Sequence, residues 1–285
     1  MKLCIYGAGA IGGHIAARLA RGGAEVSLVA RGPHLAAIQA NGLTVHAHDG
    51  THHSRPKASD DPADLGPQDA VIVTVKAPAL PSVAAGITPL LRDDTPVAFV
   101  MNGIPWWYFD HHGGPHDGTR LPEVDPGDAL RNAVGVHRAV GGVVYSATEV
   151  VAPGVVHSEH GNIRVILGEP DGRVSDRAKA ISAVLEAGGM PSPVTPDIRL
   201  EVWNKLLGNL SNGPLSVLAR RGVRDTFADP ILRAASLRSA EEGRAIAAAF
   251  GVRVPDSTIE RLSKMNIAHK PSILQDLELG RPMEI

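Results

Sequence analysis

Three glycines, Gly7, Gly9 and Gly12, stand close to the start of the chain within "YGAGAIGG", in a G-x-G-x-x-G arrangement. Such a loop can turn tightly out of a strand, bring backbone close to a pyrophosphate, and let the following helix pack against the strand. The phosphate then meets free N–H groups at the positive end of that helix. Gly7, Ala8, Gly9, Ala10, Ile11 and Gly12 are the candidate cradle; without a strand before and a helix after, the same glycines are only a turn. Arg31, in "LVARGPH", occupies the place where an NAD-binding chain usually carries an acid for the ribose hydroxyls. An arginine there suits a 2′-phosphate and favours NADP(H); the alternative is a surface arginine. Lys76 in "VTVKAPAL" and Asn102 in "VMNGIP" end two further strand-like runs. Lys76 could contact cofactor or be a solvated strand-end lysine. Asn102 could hold nicotinamide or substrate through its amide, or serve the turn before Gly103.

A second set lies far along the chain. Glu201, Lys205 and Asn209 are spaced four apart in "DIRLEVWNKLLGNLSNGPLSVLARR", which puts them on one helix face. By spacing alone this is an ordinary solvated stripe with one surface ion pair. Trp203, Leu206, Leu207, Leu210 and Leu218 are available for the core. Ser272, Asp276, Glu278 and Glu284 belong to "KPSILQDLELGRPMEI", which reads as a polar helix and a loose terminus.

Positioning the glycine loop requires a buried strand before it and an amphipathic helix after it. "KLCIY" is a short continuous apolar run, suited to a strand covered on both faces. The helix that follows places Ile11, Ile15, Ala16 and Leu19 on one side and ends at Gly22-Gly23. Further strands are predicted over 24–30, 70–76 and 96–103, with a helix near 33–41. This alternation predicts an α/β fold, a Rossmann-type doubly wound parallel sheet. After antiparallel strands around Pro153-Gly154, helices are predicted over 175–188, 196–219, 229–250 and 256–267. The expected organisation is a nucleotide-binding domain over 1–180 and an all-helical domain over 181–285, with the change falling between 168 and 196. Residues 108–128, rich in Gly, Pro, His and Asp, read as a long loop.

The 285 residues are 44% hydrophobic with a formal charge of −2. That balance gives no reason to expect nucleic acid or an acidic membrane as partner. No apolar run reaches the ~20 residues of a membrane helix, and the N-terminus lacks a secretory layout. The single cysteine, Cys4, lies in the first apolar run and cannot form an internal disulfide, so a cytoplasmic protein is expected. His46, His48, His52 and His53 cluster, as do His111, His112 and His116, but "HAHDGTHH" reads as a polar hairpin. With no H-E-x-x-H or C-x-x-C pattern, no metal site is expected.

Taken together, "GAGAIGG", "VTVKA", "MNG", the W-x-K-L-x-x-N run at 203–209 and S-x-L-Q-D-x-x-x-x-R-x-x-E at 272–284 resemble the ketopantoate reductase (2-dehydropantoate 2-reductase) family over nearly the whole chain. The resemblance implies NADPH-dependent reduction of 2-ketopantoate to pantoate in pantothenate biosynthesis, with a helical domain closing over a Rossmann domain. By position it implies Lys205 as the catalytic proton donor. Glu284 would bind the substrate hydroxyl and support that lysine. Ser272 would hold the substrate carboxylate, and Asn209 and Asn102 would lie in the substrate and cofactor site. It also implies Arg31 and Lys76 as the basic pair at the 2′-phosphate.

Three departures accompany it. Gly213 stands where the family often has a second asparagine, with Asn212 one place earlier. The segment "IPWWYFDHHGGPHDGTRLPEVDPG" is an insertion relative to short members, and Trp106, Trp107 and Tyr108 in it could shape a pocket, plug the core or face a partner. Family members usually continue past the position of Ile285, which would leave Glu284 penultimate. Gly213 and the insertion keep open a reductase of another 2-keto acid or an imine. A non-catalytic NADPH-binding sensor is the remaining alternative, against which the retention of Lys205 and Ser272 argues. The oligomeric state is left open, with a homodimer among the options.

Overall fold

The structure, a computed structural model, describes residues 1–158, 161 and 163–284. Glu159, His160 and Asn162, within the expected antiparallel segment, and the terminal Ile285 lie outside the described residues. The chain divides into two compact units, Met1–Ile198 and the remainder from Arg199.

The first unit runs β1 (Lys2–Tyr6), α1 (Ala10–Arg21), β2 (Glu25–Val29), α2 (Gly32–Asn41), β3 (Leu43–Ala47), β4 (Gly50–Ser54), β5 (Lys57–Ser59), β6 (Ala70–Val73), α3 (Leu80–Gly86) and β7 (Val97–Val100). It continues with α4 (Ala129–Val134), β8 (Ala139–Tyr145), β9 (Thr148–Ala152), β10 (Val155–Ser158), β11 (Arg164–Gly168) and α5 (Asp176–Ala187). Seven strands form one sheet in the order β11-β8-β7-β6-β1-β2-β5. All its neighbours pair in parallel except β11, which runs antiparallel to β8. The chain winds outward on both sides of β1, as the alternating pattern predicts, and Leu3, Cys4 and Ile5 are fully buried there. Burial pushes the Cys4 thiol up to about 12, so it behaves as a small core side chain.

A second sheet, β4-β3-β10-β9, contains the expected histidine hairpin, with β3 antiparallel to β4 and β9 antiparallel to β10. The parallel pairing of β10 with β3 joins residues more than a hundred positions apart, such as Val155 and Thr44. This sheet covers α1 from the side away from the main sheet: a Cβ on Gly13 would lie 2.9 Å from Val156 and 3.5 Å from Leu43. Of the four residues predicted on one side of α1, Ile15, Ala16 and Leu19 are buried and Ile11 is partly buried; His14, Ala17 and Arg18 are buried as well.

The second unit is helical: α6 (Ile198–Ala219), which begins at the last residue of the first unit, α7 (Val223–Ala228), α8 (Pro230–Ala249), α9 (Asp256–Ser263) and α10 (Ser272–Glu278). Val202, Trp203 and Leu207 supply core from α6, and α8 comes close at Gly243, where a Cβ would lie 2.7 Å from both Leu207 and Leu210. Three sequence expectations change. The division falls at 198/199 instead of 180/181, because α5 packs on α1, so closely that a Cβ on Gly188 or Gly22 would overlap backbone of Arg18 or Val184. Leu218, expected in the core, is 80% exposed in the last turn of α6. The short α7 was not expected at all.

Candidate active site

The glycine loop joins β1 to α1 with the geometry its spacing demands. Gly7 has φ of +106°, a value that disfavours any side chain. A Cβ on Gly12 would overlap the Gly7 carbonyl oxygen and lie 2.5 Å from Thr74 Oγ1. The Thr74 hydroxyl donates to that same Gly7 oxygen at 2.7 Å, tying the loop to the end of β6. Thr74, two residues before Lys76, was not singled out from sequence, although its place at a strand end was a usable signal. Gly9 differs: a Cβ there would meet nothing within 4 Å. Packing inside the protein does not require that glycine, whereas close approach of a ligand would. Gly9 caps α1 without a side-chain cap, and the first turn holds no acid. Its leading N–H groups lack intrahelical acceptors. The loop thus fits the pyrophosphate of an NADP(H) dinucleotide.

The other candidates of this unit gather around the same end of the sheet. Because β2, β6 and β7 run parallel with β1, the residues following them emerge on one side, at the switch point where open α/β sheets bind ligands. Arg31 is exposed at the N-cap of α2, Lys76 is exposed after β6, and Asn102 is half-buried after β7. Burial raises the Tyr6 phenol, and the Arg31 guanidinium works against that shift, which places the arginine near the end of β1. An exposed guanidinium and ammonium beside a glycine loop can bind a phosphate monoester.

In the helical unit, Lys205 and Asn209 share one face of α6, with Lys205 half-buried and Asn209 exposed. Burial pushes the Lys205 ammonium down to about 8, while the Glu284 carboxylate acts in the opposite sense. Lys205 and Glu284, 79 positions apart, are therefore brought within electrostatic reach. Gly213 continues the stripe and is buried; a Cβ there would lie 3.3 Å from Ile273 Cγ2. The start of α10, with exposed Ser272 beside Ile273, thus packs on α6 two turns beyond Lys205, about 12 Å along the axis. The position of the missing asparagine is filled by a helix contact.

The N-terminal model of the ketopantoate reductase PanE/ApbA family matches residues 3–172, and the C-terminal model matches residues 197–285. The chain belongs to the ketopantoate reductase family. A 2-dehydropantoate 2-reductase of Mesorhizobium japonicum is 45% identical over 289 residues, covering 100% of this chain and 88% of that protein. One from Archaeoglobus fulgidus is 29% identical, covering 100% and 87%. The crystal structure of 2-dehydropantoate 2-reductase from Geobacter metallireducens GS-15 superposes with a TM-score of 0.84 at 28% identity, covering 100% of this chain and 89% of that one.

In this ketopantoate reductase the aromatic segment after Asn102 has a defined place. Trp106, Trp107 and Tyr108 are each at most 2% exposed, so the segment after Asn102 enters the core of the first unit. Trp106 meets Phe99 edge-on at 5.6 Å, and the Arg131 guanidinium lies 5.4 Å over its ring. Arg131 also grips Asp110 with two hydrogen bonds of 2.8 and 2.6 Å. Trp107 fills the space over Gly141, where a Cβ would lie 2.6 Å from the indole. Of the readings open from sequence, the structure supports the packing plug. Among the described residues, no group of three or more His, Cys, Asp or Glu is placed to hold a metal, and no helix is long and apolar enough to cross a membrane.

Proposed function

We propose that this protein reduces 2-dehydropantoate to pantoate with NADPH. The observation that carries the reading is the Lys205–Glu284 pair: an ammonium held near neutrality, on a helix stripe with Asn209 and beside the helix that carries Ser272. Bound NADPH supplies the hydride. Reduction of a ketone builds negative charge on its oxygen, and the Lys205 ammonium stabilises that charge and delivers the proton. Glu284 keeps enough of the lysine protonated near neutral pH and accepts from the substrate hydroxyl. Ser272 donates to the substrate carboxylate, and Asn209 and Asn102 orient the substrate and the nicotinamide end. Gly7 to Gly12 hold the pyrophosphate, while Arg31 and Lys76 bind the 2′-phosphate. The first unit is accordingly the cofactor domain and the helical unit the substrate and catalytic domain. We place the enzyme in the cytoplasm, where NADPH is available, and take a homodimer as the assembly to test by light scattering.

The test is consumption of NADPH by purified protein with ketopantoate, followed by absorbance. Turnover with ketopantoate, and slower turnover with other 2-keto acids, is expected. Turnover with other 2-keto acids alone would move the assignment to a different substrate, and NADPH binding without turnover on any of them would point to a sensor. Arg31→Ala should weaken NADPH about tenfold or more, the loss of one charge-assisted phosphate contact, and NADH much less. Equal effects on the two cofactors would remove Arg31 from the phosphate site.

A further inference from the structure

Four residues of the first unit, Asp49, Arg18, His14 and Ser146, form a chain of directed hydrogen bonds that the reaction described above does not use. Arg18 on α1 is fully buried, and its two terminal nitrogens donate to Asp49, in the turn between β3 and β4, at 2.7 and 2.8 Å. Asp49 also accepts from Arg21 at 2.6 Å and lies 3.0 Å from His52 Nε2. The bond from Arg18, above the others, holds the Asp49 carboxyl well below the usual carboxylate range.

Arg18 Nη1 also donates to the Gly188 carbonyl at 3.4 Å, and the third nitrogen, Nε, faces His14 Nε2 at 3.2 Å. A guanidinium has donors only, so His14 Nε2 must be the acceptor. An imidazole with Nε2 bare carries its proton on Nδ1, and Nδ1 lies 3.0 Å from Ser146 Oγ. His14 is fully buried, and burial followed by the Arg18 charge pushes it down to about 4, so it is neutral at working pH. The Ser146 oxygen therefore accepts from His14, and its own hydrogen is left to donate. Among the described residues that hydroxyl has no second partner.

Ser146 directly follows β8, which runs parallel to β7, so it emerges on the same side of the sheet as the glycine loop, Lys76 and Asn102. Strands β6, β7 and β8 lie across β1 from β2, on the half of a doubly wound sheet that takes the second mononucleotide. Ser146 is half-buried. His14 itself sits in the second turn of α1, the helix that starts at the glycine loop.

We propose that Ser146 donates its hydroxyl hydrogen to an oxygen on the nicotinamide half of the bound cofactor, and that Asp49, Arg18 and His14 are positioning residues that keep it a donor. The inference rests on the reading of this protein as an NADPH-dependent reductase. Calorimetric titration of the full chain with NADPH, and separately with adenosine 2′,5′-bisphosphate, tests it. Ser146→Ala should weaken NADPH about tenfold, the size of one net hydrogen bond, and leave the adenosine ligand unchanged. Ser146→Thr, which keeps the hydroxyl, should recover most of the loss. His14→Leu should show the same ligand selectivity with a smaller loss; if it fails to fold, the two Ser146 variants still decide. Unchanged NADPH affinity in Ser146→Ala, or an equal loss for both ligands, would overturn the proposal alone. A wild-type protein that binds no NADPH would overturn the parent reading and this one with it.

Discussion

Lys205 carries the chemistry of the proposed reaction, and its environment makes a quantitative demand. An ammonium pushed down to about 8 is the proton donor only while protonated. Reduction should therefore be fastest below that value and fall as pH rises through it, while oxidation of the hydroxy acid should rise over the same range. Glu284 raises the lysine against the larger effect of burial, so Glu284→Gln should move the falling limb to lower pH. A pH–rate profile of kcat/KM for the two proteins checks this, and coincident profiles would disconnect the pair. Lys205→Ala should lower kcat by about 10²–10⁴-fold, the usual contribution of a positioned acid, with NADPH affinity nearly unchanged. Near-normal kcat would sink the assignment. At this scale the sequence was informative wherever a residue's task is local. Gly7 and Gly12 must be glycine because of atoms in the adjoining strand ends, and Arg31 ends a strand whose neighbours are readable. Lys205, by spacing alone, was a solvated stripe.

The elements around the glycine loop separate two reasons for a glycine. Gly12 is needed by the fold, since a side chain there would overlap the Gly7 carbonyl. Gly9 faces open space and has φ of −69°, which any residue adopts. Gly12→Ala should lower the melting temperature by several degrees, about 1–3 kcal/mol of overpacking, and lose NADPH as well. Gly9→Val should leave the melting temperature nearly unchanged and still cost most of the NADPH affinity. Melting curves with and without NADPH distinguish these outcomes; a destabilised Gly9→Val would argue that the loop is shaped by packing alone. Helix α1 was legible on the face that meets the main sheet, because Ile15, Ala16 and Leu19 follow the helical period. The rest of the helix was not, because it is covered by β3 and β10, whose pairing spans more than a hundred residues, and by α5. At six residues, α7 is too short for periodicity to reveal.

For the whole molecule, the segment Pro105–Asp110 shows how composition can mislead. Residues 108–128, with their glycines, prolines and histidines, read as a long loop, yet Tyr108, Phe109 and Asp110 at its start are buried, as are Pro105, Trp106 and Trp107 before them. Trp107→Ala should cost about 3–5 kcal/mol, as for other buried large aromatics, and lower the melting temperature measured by calorimetry. A shift of only a degree or two would return the segment to the surface. In the sequence, strands alternating with helices give way to helices alone; the structure divides into two compact units at 198/199. Helix α5, a helix by sequence like those after it, packs on α1 and so lies in the first unit. The sequence by itself determined the parallel sheet, the glycine loop and the basic residue after β2, because each depends on neighbours a few positions away. Only the tertiary structure decided that Lys205 comes within electrostatic reach of Glu284, that Trp107 is core, and that His14 is neutral and aimed at Ser146. These follow from contacts between distant parts of the chain, and no local period encodes which buried surfaces will meet.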